Sequence, residues 1–177
     1  HQMLIAVAES ECPPTYLASL DKAVADIYII TVGNPIRRPS LEPDLNYVSS
    51  AAQEVAKVLK KGDMVILRST VPVGTTRNIV LPILEKTNNL KVGDDFDLAF
   101  CPERTVEGKA LKELRELPQI IGGYNTQSTI RAQTVFQQVT STTIDLGSIE
   151  ASEMLKIMDN TYRDMMFAYS NQIALIC

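Results

Sequence analysis

The chain has 177 residues, 45% of them apolar and 21% charged, with a formal net charge of −4. That is enough for one domain with a real core, and the acidic balance argues against a nucleic-acid or anionic-membrane binder. No stretch approaches the roughly 18 apolar residues of a membrane span, and the opening HQMLIAVAES lacks the basic-then-apolar order of a signal peptide. In chain order, Ile27–Val32, Met64–Leu67, Asp97–Phe100 and Gln119–Ile121 are apolar on both faces, as strands of a covered parallel sheet are, and Thr142–Leu146 is a weaker fifth. Between them lie helical patterns. Asp44 is placed to cap a run in which Val48, Ala52, Val55 and Leu59 recur at helical spacing until Gly62. Thr75–Lys86, Ala110–Leu117 and Gln127–Gln138 follow, giving the alternation of a doubly wound α/β sheet.

The last segment is different. From Ile149 to Cys177 there is no Gly or Pro, so one long helix is expected. Its wheel puts Ala151, Met154, Met158, Met165, Tyr169 and Ile176 on one side, and Ser152, Lys156, Asn160, Arg163 and Asn171 opposite. The Met-rich side is expected to pack in the core or on a second subunit. A dinucleotide fold should also hold a G-x-G-x-x-G turn that seats pyrophosphate on a helix N-terminus. This sequence has none, so an internal fragment of a larger protein is expected.

Cys12, Cys101 and Cys177 are scattered, which fits reduced thiols of a cytoplasmic protein better than a disulfide framework or a metal site. Cys101 follows the apolar run LAF with no histidine to activate it, so it is a poor nucleophile candidate. His1 is the only histidine, so neither a histidine base nor a metal ligand set is expected.

Polar groups gather just past three strand ends, where open α/β sheets bind ligands. The first group is Val32, Gly33, Asn34 and Pro35, where Gly33 permits close backbone approach. Arg37 and Arg38 follow in a Pro-bounded loop. The second is Ser69, Thr70 and Val71, with Thr70 able to bond a water or ligand and Thr75 or Thr76 able to cap the next helix. The third is Cys101–Gly108, whose Glu103 and Glu107 could orient water, bind ribose or act as a base. Lys156 and Asn160 are one turn apart on the long helix, so they share a face. A cation and an amide there suit a substrate that develops negative oxygen. Taken singly, each of these groups has a plain alternative as a turn or a wet surface.

The segments VGNP, STVPVGTT, CPERTVEG, LPQIIGG and ASEMLKIMDNTYRD, in this order, closely resemble the UDP-glucose/GDP-mannose dehydrogenase family. The resemblance implies residues 1–148 as the later part of a Rossmann-like NAD-binding domain, and 149–177 as the start of a central helix that builds a homodimer. It implies oxidation of a UDP-sugar C6 alcohol to the carboxylate, with two NAD+ reduced and a thioester formed on a cysteine, in polysaccharide biosynthesis. Lys156 would steady the oxyanion, Asn160 would assist, and Thr70 and Glu103 would hold the water. Val32–Ile36, Ser69–Val71 and Glu107 would contact NAD, while Glu103–Glu107, with Arg104, and Lys156–Asn160 would line the sugar nucleotide. CPER, where UDP-glucose enzymes usually carry a Pro-Glu-Phe version, implies UDP-N-acetylmannosamine ahead of UDP-N-acetylglucosamine and UDP-glucose. Arg104 would meet the acetamido group or else pair with a carboxylate.

Three departures stand out: the glycine-rich turn is absent, the Gly-flanked catalytic cysteine is absent, and Asn34 stands where the family usually has Thr. The fragment alone is therefore expected to be inactive. Two rivals remain at this stage. Hydroxyacid and phosphogluconate dehydrogenases also carry Lys and Asn one turn apart, and a non-catalytic nucleotide-binding or assembly module would need neither.

Overall fold

The computed structural model describes residues 15–22, 24–106 and 108–177. Glu107, Cys12 and His1 lie outside the described residues. Five strands form one sheet in the order of the sequence: β1 (Ile27–Ile30), β2 (Met64–Leu67), β3 (Asp97–Phe100), β4 (Gln119–Gly123) and β5 (Thr143–Asp145). The helices are α1 (Asn46–Val58), α2 (Leu81–Asn88, entered through a π-helical turn Thr76–Val80), α3 (Ala110–Glu116), α4 (Thr126–Phe136) and α5 (Ile149–Ile176).

Alternation along the strands builds two apolar layers. Val65, Leu67, Leu98 and Phe100 face α1 and α2, with Val48, Ala52, Val55 and Leu84 opposite them. Met64, Ile66, Ala99, Cys101 and Ile121 face the other way, toward Ala132 and Phe136 of α4. β2 and β3 are therefore buried on both faces, as their unbroken apolar runs require. β1 is buried on one face only: Tyr28 and Ile30 are inside, whereas Ile29 is 46% exposed. The strand expected to be fully covered is half covered, because α4 packs on β3 and β4 and does not extend across β1.

Strand direction also departs from the expected all-parallel sheet. β1, β2 and β3 are parallel, β4 runs antiparallel to β3, and β5 is parallel to β4. A parallel crossover needs an element that spans and covers the sheet. α3 has seven residues and buries none of them, so the chain leaves β3 and re-enters β4 at the same edge.

Local chemistry sets the helix ends. Asp44 Oδ1 accepts the Asn46 N–H at 3.1 Å, but Asp44 stands one residue before the N-cap of α1, Leu45, which has no side-chain cap, so the expected cap is displaced by one residue. Asn125 accepts from Ser128 N at α4, and Ser148 from Ala151 N at α5. Thr75 is the N-cap residue of the turn after β2, but neither threonine side chain supplies the capping bond that the sequence allowed. Thr75 Oγ1 donates to the Pro72 carbonyl, and the acceptor for this turn comes from α5. Glu153, fully buried, accepts Gly74 N at 2.5 Å, Thr76 N at 2.8 Å and Thr76 Oγ1 at 2.6 Å. Three donors compensate the cost of burying that side chain.

α5 is one helix, as its sequence predicts, but the faces are reversed. Ile149, Ser152 and Glu153 are its buried residues, and they lie toward the polar side of the wheel. Met158 and Met165 are 62% and 66% exposed, so the Met-rich side does not enter this chain's core. Glu153 explains the choice, since its bonds can form only if that side faces the sheet. Gly122 permits the close approach. A Cβ there would sit 2.2 Å from the Ser148 carbonyl oxygen and 2.5 Å from Ser152 Oγ.

Candidate active site

Past the carboxyl ends of β1 and β2 lies a cavity of about 730 Å³. Thr31–Asn34 and Arg68–Pro72 form its walls, Ile36 and Pro43 one rim, and Glu103 and Ile157 the other. Its position follows from topology: each βα loop of the parallel strands turns at this edge. A shallower hollow of about 480 Å³, lined by Gly33, Asn34, Pro35 and Tyr47, adjoins it.

The two loops are tied together. Ser69 Oγ donates to the Val32 carbonyl at 2.6 Å, and Asn34 Nδ2 donates to the Thr70 carbonyl at 2.8 Å. Asn34 Oδ1 is buried without a partner among the described residues. Asn34 thus acts as a brace between loops. The Thr70 hydroxyl makes no hydrogen bond among the described residues, and Thr70 is exposed on the cavity wall. The loop carrying Ile36 and Pro43 closes on itself through a bridge between those two residues and an Arg37–Asp44 ion pair at 2.9 Å.

Glu103 is the most constrained acid here. Its Oε2 meets Arg68 Nη2 at 2.5 Å, and its Oε1 accepts the N–H groups of Arg104 at 2.8 Å and Thr105 at 2.9 Å. Burial pushes its carboxyl upward, but the Arg68 hydrogen bond and the Thr105 N–H outweigh it, and the net pKa is below the usual carboxylate value. Lys156 stands on α5, half-buried and without an ion-pair partner among the described residues. Burial lowers its pKa, Arg163 adds to the effect, and Glu103 and Asp159 oppose it. Asn160, one turn on, accepts from Arg163 Nη2 at 3.2 Å.

Arg104 has the carboxylate partner that its sequence position left open. Its Nε donates to Asp159 Oδ2 at 2.9 Å and its Nη1 to the Pro118 carbonyl at 3.3 Å. Cys101 is fully buried, and burial raises its thiol to about 12, so it is not a nucleophile. Cys177 is exposed at the end of α5. Among the described residues no cluster of His, Cys, Asp and Glu could hold a metal ion, and no helix is long and apolar enough to cross a membrane.

The structure thus brings Val32–Pro35 and Ser69–Val71 together around two adjoining hollows, with Glu103 at the larger and Lys156 on the next element. Sequence reasoning missed Arg68 and Gln119. The available signal was a charged residue directly following the fully buried run MVIL, where a cation needs a partner. Antiparallel β4 supplies one, since Gln119 at its start accepts from Arg68 Nη1 at 3.1 Å.

Two strand-end loops thus offer a ligand backbone groups, the Thr70 hydroxyl and apolar walls.

UDP-N-acetyl-D-mannosamine dehydrogenase of Campylobacter jejuni is 35% identical over 159 residues, covering 86% of this chain and 39% of that protein. The solved UDP-D-ManNAc dehydrogenase of Pyrococcus horikoshii superposes with a TM-score of 0.81 at 36% identity, over 86% of this chain and 36% of that one. NDP-N-acetyl-D-galactosaminuronic acid dehydrogenase of Methanosarcina mazei Go1 gives 0.75 at 39% identity, over 86% and 32%. The chain therefore spans about two fifths of the length of the curated relatives it matches. Residues 15–140 match the NAD binding domain of the UDP-glucose/GDP-mannose dehydrogenase family, and the chain belongs to that family, whose cofactor is NAD.

Proposed function

We propose that the chain is the later part of the NAD domain, with the start of the central helix, of an enzyme that oxidises the C6 alcohol of a UDP-N-acetylhexosamine to the carboxylate. The observation that carries this reading is Lys156, a half-buried cation beside Glu103 with no ion-pair partner among the described residues. An unpaired cation beside the acid that lines the cavity is available to oxygen that becomes negative during reaction. In such an enzyme Lys156 Nζ steadies the substrate oxyanion and Asn160 donates a second bond. The Thr70 hydroxyl and the Glu103 carboxylate hold the water that takes part in proton transfer and hydrolysis. Val32–Pro35, Ser69–Val71 and Glu107 bind the cofactor, which accepts hydride when bound. Arg104 and Glu107 help line the sugar-nucleotide side.

The reaction proceeds in two oxidations, alcohol to aldehyde and then thiol adduct to thioester, before water releases the acid. The thiol and the glycine-rich turn are not in this sequence, so the chain alone is inactive. The apolar side of α5 pairs two copies. UDP-N-acetylmannosamine is the first candidate substrate, and the names of the Campylobacter and Pyrococcus relatives favour it. The Methanosarcina relative's name favours a different N-acetylhexosamine.

The deciding experiment compares kcat/KM of the intact protein for UDP-N-acetylmannosamine, UDP-N-acetylgalactosamine, UDP-N-acetylglucosamine and UDP-glucose. Lys156→Ala should lower kcat by about a hundredfold or more while leaving the KM for NAD+ nearly unchanged. A loss confined to the cofactor KM would refute the oxyanion role, and a preference for UDP-glucose would retire the N-acetyl assignment.

A further inference from the structure

The wall of the cavity contains a buried cation whose place in the chemistry nothing above has assigned. Arg68 is 6% exposed and leaves the end of β2. Three contacts fix its planar head: Glu103 Oε2 at 2.5 Å, Gln119 Oε1 at 3.1 Å, and the Phe136 ring, 4.9 Å from its centroid. The anchors come from the loop after β3, from β4 and from α4, so Arg68 is held on three sides by different elements. The guanidinium spends one arm on Glu103 and the other on Gln119, so its donor to the carboxylate is held at a fixed point, which a lysine ammonium with no second planar arm would not do.

We propose that Arg68 is a positioning residue: it clamps the Glu103 carboxylate in one orientation at the cavity wall, so that Glu103 serves the reaction as a fixed hydrogen-bond acceptor. Both Glu103 oxygens are already engaged, Oε2 by Arg68 and Oε1 by two backbone N–H groups. A carboxylate with these partners stays ionised and orients a water, and is poorly suited to carry a proton away. The charged groups facing it are Arg68 from the end of β2, Lys156 from α5, and Arg104 from its own loop, the last engaged by Asp159. Losing Arg68 would remove the nearest cation, free one oxygen and let the side chain swing. The inference about orientation stands on the geometry; its bearing on catalysis rests on the dehydrogenase reading above.

The test uses the intact protein labelled with 13C at glutamate carboxyls, with Glu103→Gln to assign the signal. In the unmodified protein the Glu103 carboxyl should titrate below ordinary glutamate. In Arg68→Met it should move upward, and Arg68→Lys should fall between. Kinetically, Arg68→Met should lower kcat by up to about a hundredfold through misplacement, with the KM for NAD+ unchanged and the acid limb of the rate profile displaced upward. A purely structural arginine would lower thermal stability without moving the Glu103 titration, and an unchanged titration in Arg68→Met overturns the proposal. If Arg68→Met does not fold, Arg68→Lys decides the same comparison. An intact protein with no activity on nucleotide sugars would defeat the dehydrogenase reading, while the titration would still decide the role of Arg68.

Discussion

The two halves of α5 share one backbone and opposite surroundings. Up to Asn160 the helix lies on the sheet with its polar side inward: Ser152 and Glu153 are buried, Lys156 and Asn160 half-buried. From Thr161 to Cys177 every residue is exposed, including Met165, Met166, Phe167, Tyr169 and Ile173. Hydrophobicity alone would invert this arrangement. The first half shows that a few well-placed hydrogen bonds, two to backbone N–H groups and one to a hydroxyl, can choose a helix face against the apolar stripe. The second half presents a contiguous apolar surface of the kind that marks an interaction site.

The largest effect should come from the docked half. Glu153→Ala in the intact protein should cost about 3 kcal/mol in urea unfolding, since the Gly74 and Thr76 N–H groups lose a buried acceptor. Glu150→Ala, which breaks the more exposed Arg77 pair one turn earlier, should cost less than about 1 kcal/mol. Equal losses would mean that Glu153 does not select the buried face.

Next comes the exposed half. Under the proposed pairing of two copies, a charge on this side should weaken association by about tenfold or more, so Met165→Glu with Tyr169→Glu should shift the intact protein toward monomer in sedimentation velocity. A double variant that keeps its dimer at the same concentration would show that the Met-rich side is not the contact.

The smallest effect concerns acid. Glu150 is held below the ordinary carboxylate value chiefly by its Arg77 hydrogen bond, and Glu103 is also held below it, the Arg68 bond outweighing burial. For a carboxyl lowered in the folded state, the stabilisation is complete above its unfolded value of 4.5. It fades as pH falls through the lower folded value. Glu150→Gln should therefore narrow the gap in Tm between pH 7 and acid. An unchanged gap would remove this pair from the acid response.

Much of the fold was legible because strands buried on both faces leave an unbroken apolar run. Met64–Leu67 and Asp97–Phe100 have the bounds their sequences predict. The helices followed from spacing more than from stop signals: α1 ends at Val58, ahead of Gly62, and α2 ends in the cap Asn89, in the left-handed region with φ 54°, which the spacing alone did not mark. Direction was not legible: Gln119–Gly123 has the same apolar pattern whichever way it runs, and only the weakness of α3 as a crossover distinguishes the two. At the site, the strand-end loops were found because topology places such loops together. Arg68, Gln119 and the capping role of Glu153 were not, because their partners are far away in sequence and no period connects them. Arg104 was recognised as a donor, but its acceptor on α5 could come only from the fold.

Glu153 also has a consequence for the order of assembly. The turn at Gly74, two residues beyond the cavity-lining Pro72, waits for an acceptor 79 residues later in the chain. Such a contact closes late, after the local helices and the parallel strand pairs are in place. During synthesis the segment 69–76 is complete long before its cap emerges, so the pocket wall takes its final shape only once the start of α5 has docked. Any shorter piece cut for binding work must keep residues through 153, or it will carry the loop without the group that sets its form.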